Sequence, residues 1–142
     1  MNPPVLDRVM YDLFQSEASV LDDPGSGERH LIDREIRFEM SDGLCWFASW
    51  TSAPIQYSIG VQRESFFRTG DSITRNASNH PLWIRLIGHP TEFLFLDKGN
   101  QVVEVRSPDA FVFLSSQENG NWAMDVMTVS RLRPETAPSL LP

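Results

Sequence analysis

Ser41-Asp42-Gly43-Leu44-Cys45-Trp46-Phe47-Ala48-Ser49-Trp50 places a tight-turn signal directly before seven residues that carry three large aromatic rings. Successive residues of a β-strand face opposite sides, so Leu44, Trp46, Ala48 and Trp50 share one face and Cys45, Phe47 and Ser49 the other. Such a strand is either covered on both sides or offers tryptophan to a partner. Upstream, Ile36, Phe38 and Met40 alternate with Glu35, Arg37 and Glu39, the pattern of a strand with one buried and one wet face. Downstream, Ser52-Ala53-Pro54 breaks the run, and Ile55, Tyr57, Ile59 and Val61 then alternate with polar or small residues. The three strands read as a meander. Its middle position favours burial of Cys45, Trp46 and Phe47, and leaves Trp50, at the strand exit, for contact.

Further toward the N-terminus, Val5, Leu6, Val9, Met10, Leu13 and Phe14 recur at helical spacing behind Pro3 and Pro4. This predicts an amphipathic helix that dies out near Val20, before the loop residues Asp22-Asp23-Pro24-Gly25-Ser26-Gly27. Beyond the meander, residues 63–81 have no decided pattern. Strands follow near Leu82–Ile87, Glu92–Leu96, Gln101–Arg106, Phe111–Ser115 and Trp122–Leu132, joined by short turn-rich segments that suit antiparallel neighbours. The expected fold is α+β and mainly β: an N-terminal helix packed on a curved antiparallel sheet, or partly open barrel, of about eight strands. A β-sandwich is the alternative. Residues 1–132 read as one globular domain and 133–142, with three prolines, as a disordered tail.

Charge is unevenly spread. Residues 1–42 hold ten acids against four arginines, a net of -6 out of the total of -7, while the remainder nearly balances. An acidic surface repels phosphate backbones and anionic lipid and attracts basic partners, so neither nucleic acid nor membrane is expected as a ligand. One cysteine, no basic-then-apolar start and no unbroken apolar run point to the cytoplasm. The Asn76-Ala77-Ser78 acceptor triplet has no meaning there.

No motif for catalysis, metal or cofactor stands out, and none is expected. His30, His80 and His89 all fall in predicted loops without ligand spacing, although folding can bring loop residues together. Asp33, Glu35, Arg37 and Glu39 would point the same way along one strand, about 7 Å apart, which suits cross-strand ion pairing better than a pair of glycosidase carboxylates. Gly25-Ser26-Gly27 is too short for a phosphate cradle, and Gly70-Asp71-Ser72 lacks the strand-to-helix elbow of a hydrolase serine. Cys45, inside an apolar strand, is packing. Eleven arginines against one lysine can follow from coding bias alone, or Arg63, Arg68 and Arg75 can bind an anion.

These observations lead to a small acidic protein-binding module, more simply a non-enzyme, of the immunity or secretion-chaperone type found in bacteria, which masks a basic partner. The contact residues expected are Asp22, Asp23, Glu28, Glu35, Glu39, Asp42, Trp50, Phe66, Phe67 and Trp122, since aromatic side chains near loops anchor binding surfaces. Self-association through a strand edge, giving a homodimer, is compatible with this. The alternative is a small-ligand pocket or modest enzyme between helix and sheet, lined by Trp46, Tyr57 and Trp83, with His80, His89 and Arg85 as its polar groups.

Overall fold

The computed structural model describes residues 3–22, 29–52, 58–67, 70–116 and 126–134. The segment expected to be a helix is a strand, β1 (Leu6–Leu13), and the only helical element among the described residues is the single 3-10 turn Gln15–Glu17. The reason is a β-bulge. Leu6 pairs with Met40, but Arg8 already pairs with Glu39, so one extra residue is accommodated in β1. That extra residue puts Leu6 and Val9, three apart, on one face. After it Val9, Tyr11 and Leu13 alternate normally, all fully buried. A spacing of three followed by a period of two imitates a helical repeat.

Nine further strands follow: β2 (Arg29–Ile32), β3 (Glu35–Met40), β4 (Cys45–Thr51), β5 (Ser58–Gln62), β6 (Ile73–Asn76), β7 (Glu92–Phe95), β8 (Val102–Arg106), β9 (Phe111–Ser115) and β10 (Met127–Ser130). They form two antiparallel five-stranded sheets, in the orders β5-β4-β3-β1-β6 and β2-β10-β9-β8-β7. The architecture is therefore two packed sheets rather than a helix on one curved sheet or partial barrel. The meander β3-β4-β5 is present, entered through the turn at Gly43, whose φ of 82° suits a residue without Cβ. The chain crosses from the first sheet to the second and back through β2, which pairs with β10.

Leu82–Ile87, expected as a strand, is a series of turns. Trp83 N–H donates to His80 O, Leu86 N–H to Trp83 O and His89 N–H to Leu86 O. Leu82, Trp83 and Leu86 are buried while Ile84 is 47% exposed, a spacing that belongs to turns and not to a strand. This segment seals β1: Ala77 N–H donates to Val9 O, Leu6 N–H to His89 O, and Gly88 N–H to Leu6 O. Residues 63–81, without a decided pattern in the sequence, contain the short edge strand β6. The expected strand at Trp122–Leu132 is realised in β10; Trp122 and residues 135–142 of the tail lie outside the described residues, as do Ala53–Tyr57.

One hydrophobic cluster unites both sheets. Leu6, Val9, Tyr11, Ile36, Phe38 and Ala48 come from the first, Ile32, Val103, Val105, Val112, Leu114 and Val129 from the second, and Leu82, Trp83 and Leu86 from the turn segment. Phe38 makes edge contacts with Trp83 and Phe93, at 5.4 and 5.1 Å between ring centroids, and so stitches β3 to the opposite layer. Ser58 Oγ also reaches across, donating to Gly99 O at 2.6 Å. A strand and a helix at β1 make different demands of neighbouring residues. Val9→Ala costs about 2 kcal/mol, because it opens a cavity in the shared core, whereas Met10→Thr, on the half-exposed outer face, stays within about 1 kcal/mol of the parent; urea unfolding curves measure both.

Candidate functional site

The outer face of the first sheet carries a continuous ionic network. Registry places Arg8 opposite Glu39, Met10 opposite Arg37 and Asp12 opposite Glu35. Arg37 Nε and Nη2 donate to the two oxygens of Asp12 at 2.9 and 3.0 Å, and Arg37 also pairs with Glu39, which holds Arg8. Thr74 on β6 donates to Asp12 Oδ1 at 2.8 Å. Burial alone would raise the Asp12 carboxyl, but the hydrogen bonds from Arg37 and Thr74 outweigh it and hold it below the ordinary aspartate range. Cys45 sits beside this network. Burial, and then the Glu39 carboxylate, push its thiol up, which leaves a poor nucleophile.

Glu35 belongs to the same face yet is only 2% exposed. Residues 65–67 fold over it: Ser65 Oγ donates to Glu35 Oε2 at 2.6 Å and Phe66 N–H to Oε1 at 3.0 Å, while Arg34 lies 3.4 Å away as counter-charge. The Arg34 guanidinium stacks over the Phe67 ring at 4.6 Å, and Phe67 meets Phe14 edge-on. Phe66 lies against Gly60, where a Cβ would stand 3.0 Å from the ring, so any larger residue there would have to push the ring aside.

Several expected contact residues are thereby accounted for internally. Glu35 is buried, Glu39 is paired twice, and Asp22 forms a bidentate pair with Arg75 that lowers its carboxyl. Trp50 is half-buried, and its indole N–H is shared between the backbone and side-chain oxygens of Asp33. Asp33 precedes β3 in a bend instead of continuing the strand. Phe66 and Phe67 are half-buried as described. Asp23, Glu28, Trp122, Tyr57 and Arg68 lie outside the described residues, as does Gly25-Ser26-Gly27. Asp42 alone of the described acids in that set is exposed without an ion pair; its Oδ1 accepts only from Leu44 N–H.

Asp42 opens onto a surface cleft of about 310 Å³. Trp46, the prolines Pro3, Pro4 and Pro90, Arg63 and Glu92 line it as well. Arg63 lies over the indole at 3.7 Å from the ring centroid, and Trp46 is backed by Phe93 at 5.7 Å. A neighbouring cleft of about 250 Å³ shares Pro90 and Glu92 with it and is also lined by Arg106, Ser107 and Pro108. Glu92 has one cationic neighbour, Arg106 at 3.8 Å. The central strand position of Trp46 does not bury it fully: it packs against the margin of the core and also borders this cleft. Neither Pro90 nor Arg63 carries any pattern in the sequence that would mark it as a neighbour of Trp46.

Of the residues expected to line a small-ligand pocket, Trp46 borders the surface cleft just described, Tyr57 lies outside the described residues and Trp83 is in the core. Trp83 is fully buried and donates from its indole to Tyr11 Oη at 2.7 Å, and Tyr11 Oη is 2.7 Å from His30 Nδ1. The donor and acceptor in the Tyr11–His30 bond are set by the histidine tautomer, and the other ring nitrogen, Nε2, is buried without a hydrogen-bond partner among the described residues. Burial pushes the Tyr11 hydroxyl up and pushes His30 down to about 4, with the field of His80 adding to the latter. The rings of His30 and His80 are 4.3 Å apart, so folding does bring two of the three histidines together. His89 stands at the edge of β1, where its carbonyl accepts from Leu6. Among the described residues no three His, Cys, Asp or Glu side chains form a metal-binding group, and no helix is long and apolar enough to cross a membrane.

The neutral histidines give stability a definite pH dependence. An unfolded His30 takes up its proton near 6.5, whereas the folded one resists until about 4, so stability is lost as pH falls through that window. His80, depressed by burial and by Arg131, acts in the same sense; Asp12 and Asp22 add losses only below about 3.8. The urea midpoint is expected to decline from pH 7 to 4.5, and His30→Gln to flatten that decline while lowering the plateau. Tyr11→Phe leaves Trp83 Nε1 and His30 Nδ1 unpaired and costs roughly 1–3 kcal/mol for each group, read from the same curves. Compared with protein-family models, curated proteins and solved structures, the chain matches none of them.

Proposed function

We propose that this protein is a binding module that masks a basic, extended segment of another protein, as an inhibitor or escort does, and that the segment lies in the Trp46 groove. The observation that carries the reading is the convergence, in one exposed cleft, of an indole, three prolines and the carboxylates of Asp42 and Glu92. Rigid prolines contribute contact without an ordering cost, and a tryptophan flanked by acids suits a lysine or arginine side chain from a partner. Arg63, stacked on the same indole at 3.7 Å, supports the reading that this ring takes a guanidinium, and a partner's cation would displace or join it there. The net charge of -7 supports long-range attraction of a basic partner and disfavours phosphate backbones.

The acidic N-terminal third contributes differently from a simple charged patch. Asp12, Asp22, Glu35 and Glu39 are engaged by arginines of this chain, so their short-range hydrogen bonds are spent within the fold. The contact acids in this reading are Asp42 and Glu92, with the rest supplying only the field. Surface ion pairs of the fold are each worth little, but two carboxylates aimed at one bound cation act together.

A fluorescein-labelled nona-arginine peptide, titrated by anisotropy, serves as the probe. The double variant Asp42→Lys/Glu92→Lys is expected to weaken binding by about tenfold or more, equivalent to roughly 1.4 kcal/mol, and affinity to fall as salt rises. Asp71→Lys with Glu64→Lys makes the same change in net charge at exposed positions outside the groove. Equal losses in both double variants would sink the groove and leave only diffuse attraction.

A further inference from the structure

A second cleft borders the turn segment, lined by Leu82, Arg85, Leu86, Asp109, Phe111 and Arg131 among others, with a volume of about 70 Å³. We propose that it binds a carboxylate carried on a short aliphatic stem, whether a small free acid or the end of an acidic side chain. The proposal concerns a site separate from the Trp46 groove and is independent of the function assigned to that groove.

The argument begins with pairing. In a chain with 19 acids and 12 bases, a guanidinium has many carboxylates to choose from. Arg8, Arg34, Arg37, Arg75 and Arg106 each take one or more. Arg63, Arg85, Arg131 and Arg133 take none among the described residues; Arg63 and Arg133 instead lie over aromatic rings, and Arg85 and Arg131 line the same cleft. Arg85 is oriented by a hydrogen bond from Nη2 to the Asp109 carbonyl at 3.2 Å, which uses one of its five N–H groups and leaves the others for an acceptor. Arg131 follows directly on β10. Its charge reaches far enough into the fold to lower the His80 ring, so the cationic corner is felt by a neighbouring titratable group.

Size and charge narrow the ligand. The cleft, about 70 Å³ and partly open to solvent, has room to seat a carboxylate head with a short stem. Leu82 and Leu86 are buried at the base and Phe111 stands 46% exposed at the rim, which suits methylene groups behind the charged head. Two guanidinium groups against the Asp109 carboxylate leave a net of one positive charge. That matches a monoanion, and Asp109 repels a dianionic phosphate more strongly. The forked donors of arginine fit the two oxygens of a carboxylate.

Binding is tested by NMR titration of the full chain with propionate, with propionamide as the uncharged isostere, with inorganic phosphate, and with the capped peptide acetyl-Gly-Gly-Glu-Gly-Gly-amide. Propionate is expected to shift the Arg85 and Arg131 Nε–Hε signals with a millimolar constant, and propionamide to leave them in place. The His80 ring proton should titrate at higher pH with propionate bound, because the new anion offsets the field of Arg131. Arg85→Gln and Arg131→Gln should each weaken binding about tenfold. Tighter binding of the peptide than of propionate identifies a protein side chain as the source, and the reverse identifies a free acid. Equal shifts from propionamide, stronger binding of phosphate than of propionate, or a His80 titration indifferent to propionate would each overturn the assignment; these three readings use the unaltered protein and do not depend on the variants folding.

Discussion

The Tyr11 hydroxyl is the point at which the three parts of this protein are joined. It accepts from the Trp83 indole on the turn segment and reaches His30 on β2, while its own strand lies in the opposite sheet. Packing alone is tolerant of sliding, since apolar surfaces of similar size can exchange places, but a buried hydrogen-bond chain is satisfied in one arrangement only. Register in β1, the crossing of β2 to the second sheet, and the seating of Trp83 on Phe38 all have to agree for Tyr11 to find both partners. The same chain holds His30 neutral and next to His80, so the feature that aligns the layers also makes the core sensitive to acid.

Charge is organised in two tiers. The outer face of the first sheet binds its acids to its own arginines, and this couples β1, β3 and β6 through Asp12, Arg37 and Thr74. Two clefts hold charged groups that this network does not neutralise: Asp42 and Arg63 around Trp46, with Glu92 paired at 3.8 Å to Arg106, and Arg85 and Arg131 beside Leu82. The turn segment owes its position to backbone bonds with β1 at Val9 and Leu6.

Much of the strand content was legible because alternation over five or more residues has few other causes. Glu35–Met40 shows it, whereas the tryptophan strand and Phe111–Ser115 are marked by short aromatic-rich apolar runs between turn residues, and the turn at Gly43 is marked by its residues. β1 imitates a helix because a bulge changes the spacing from two to three for a single step, the spacing a helix also produces. Leu82–Ile87 has the apolar density of a strand, but Leu82, Trp83 and Leu86 follow the spacing of turns. β2 and β6, with four residues each, are too short for periodicity to register and exist through their partners.

For the candidate sites, the sequence by itself determined which chemical groups were on offer: a surplus of acids in residues 1–42, guanidinium as nearly the only cation, aromatic rings in the strands and one thiol. It also determined, through alternation, that arginines and acids of β3 would share a wet face. Only the tertiary structure decided which of those charges neutralise one another, that Glu35 is enclosed while Asp42 is free of ion pairs, that His30 meets His80 and not His89, and that Arg85 and Arg131 share a wall. The physical reason is that side-chain type and local period act over a few residues, whereas charge pairing and burial depend on distances between residues tens of positions apart, which no local pattern encodes.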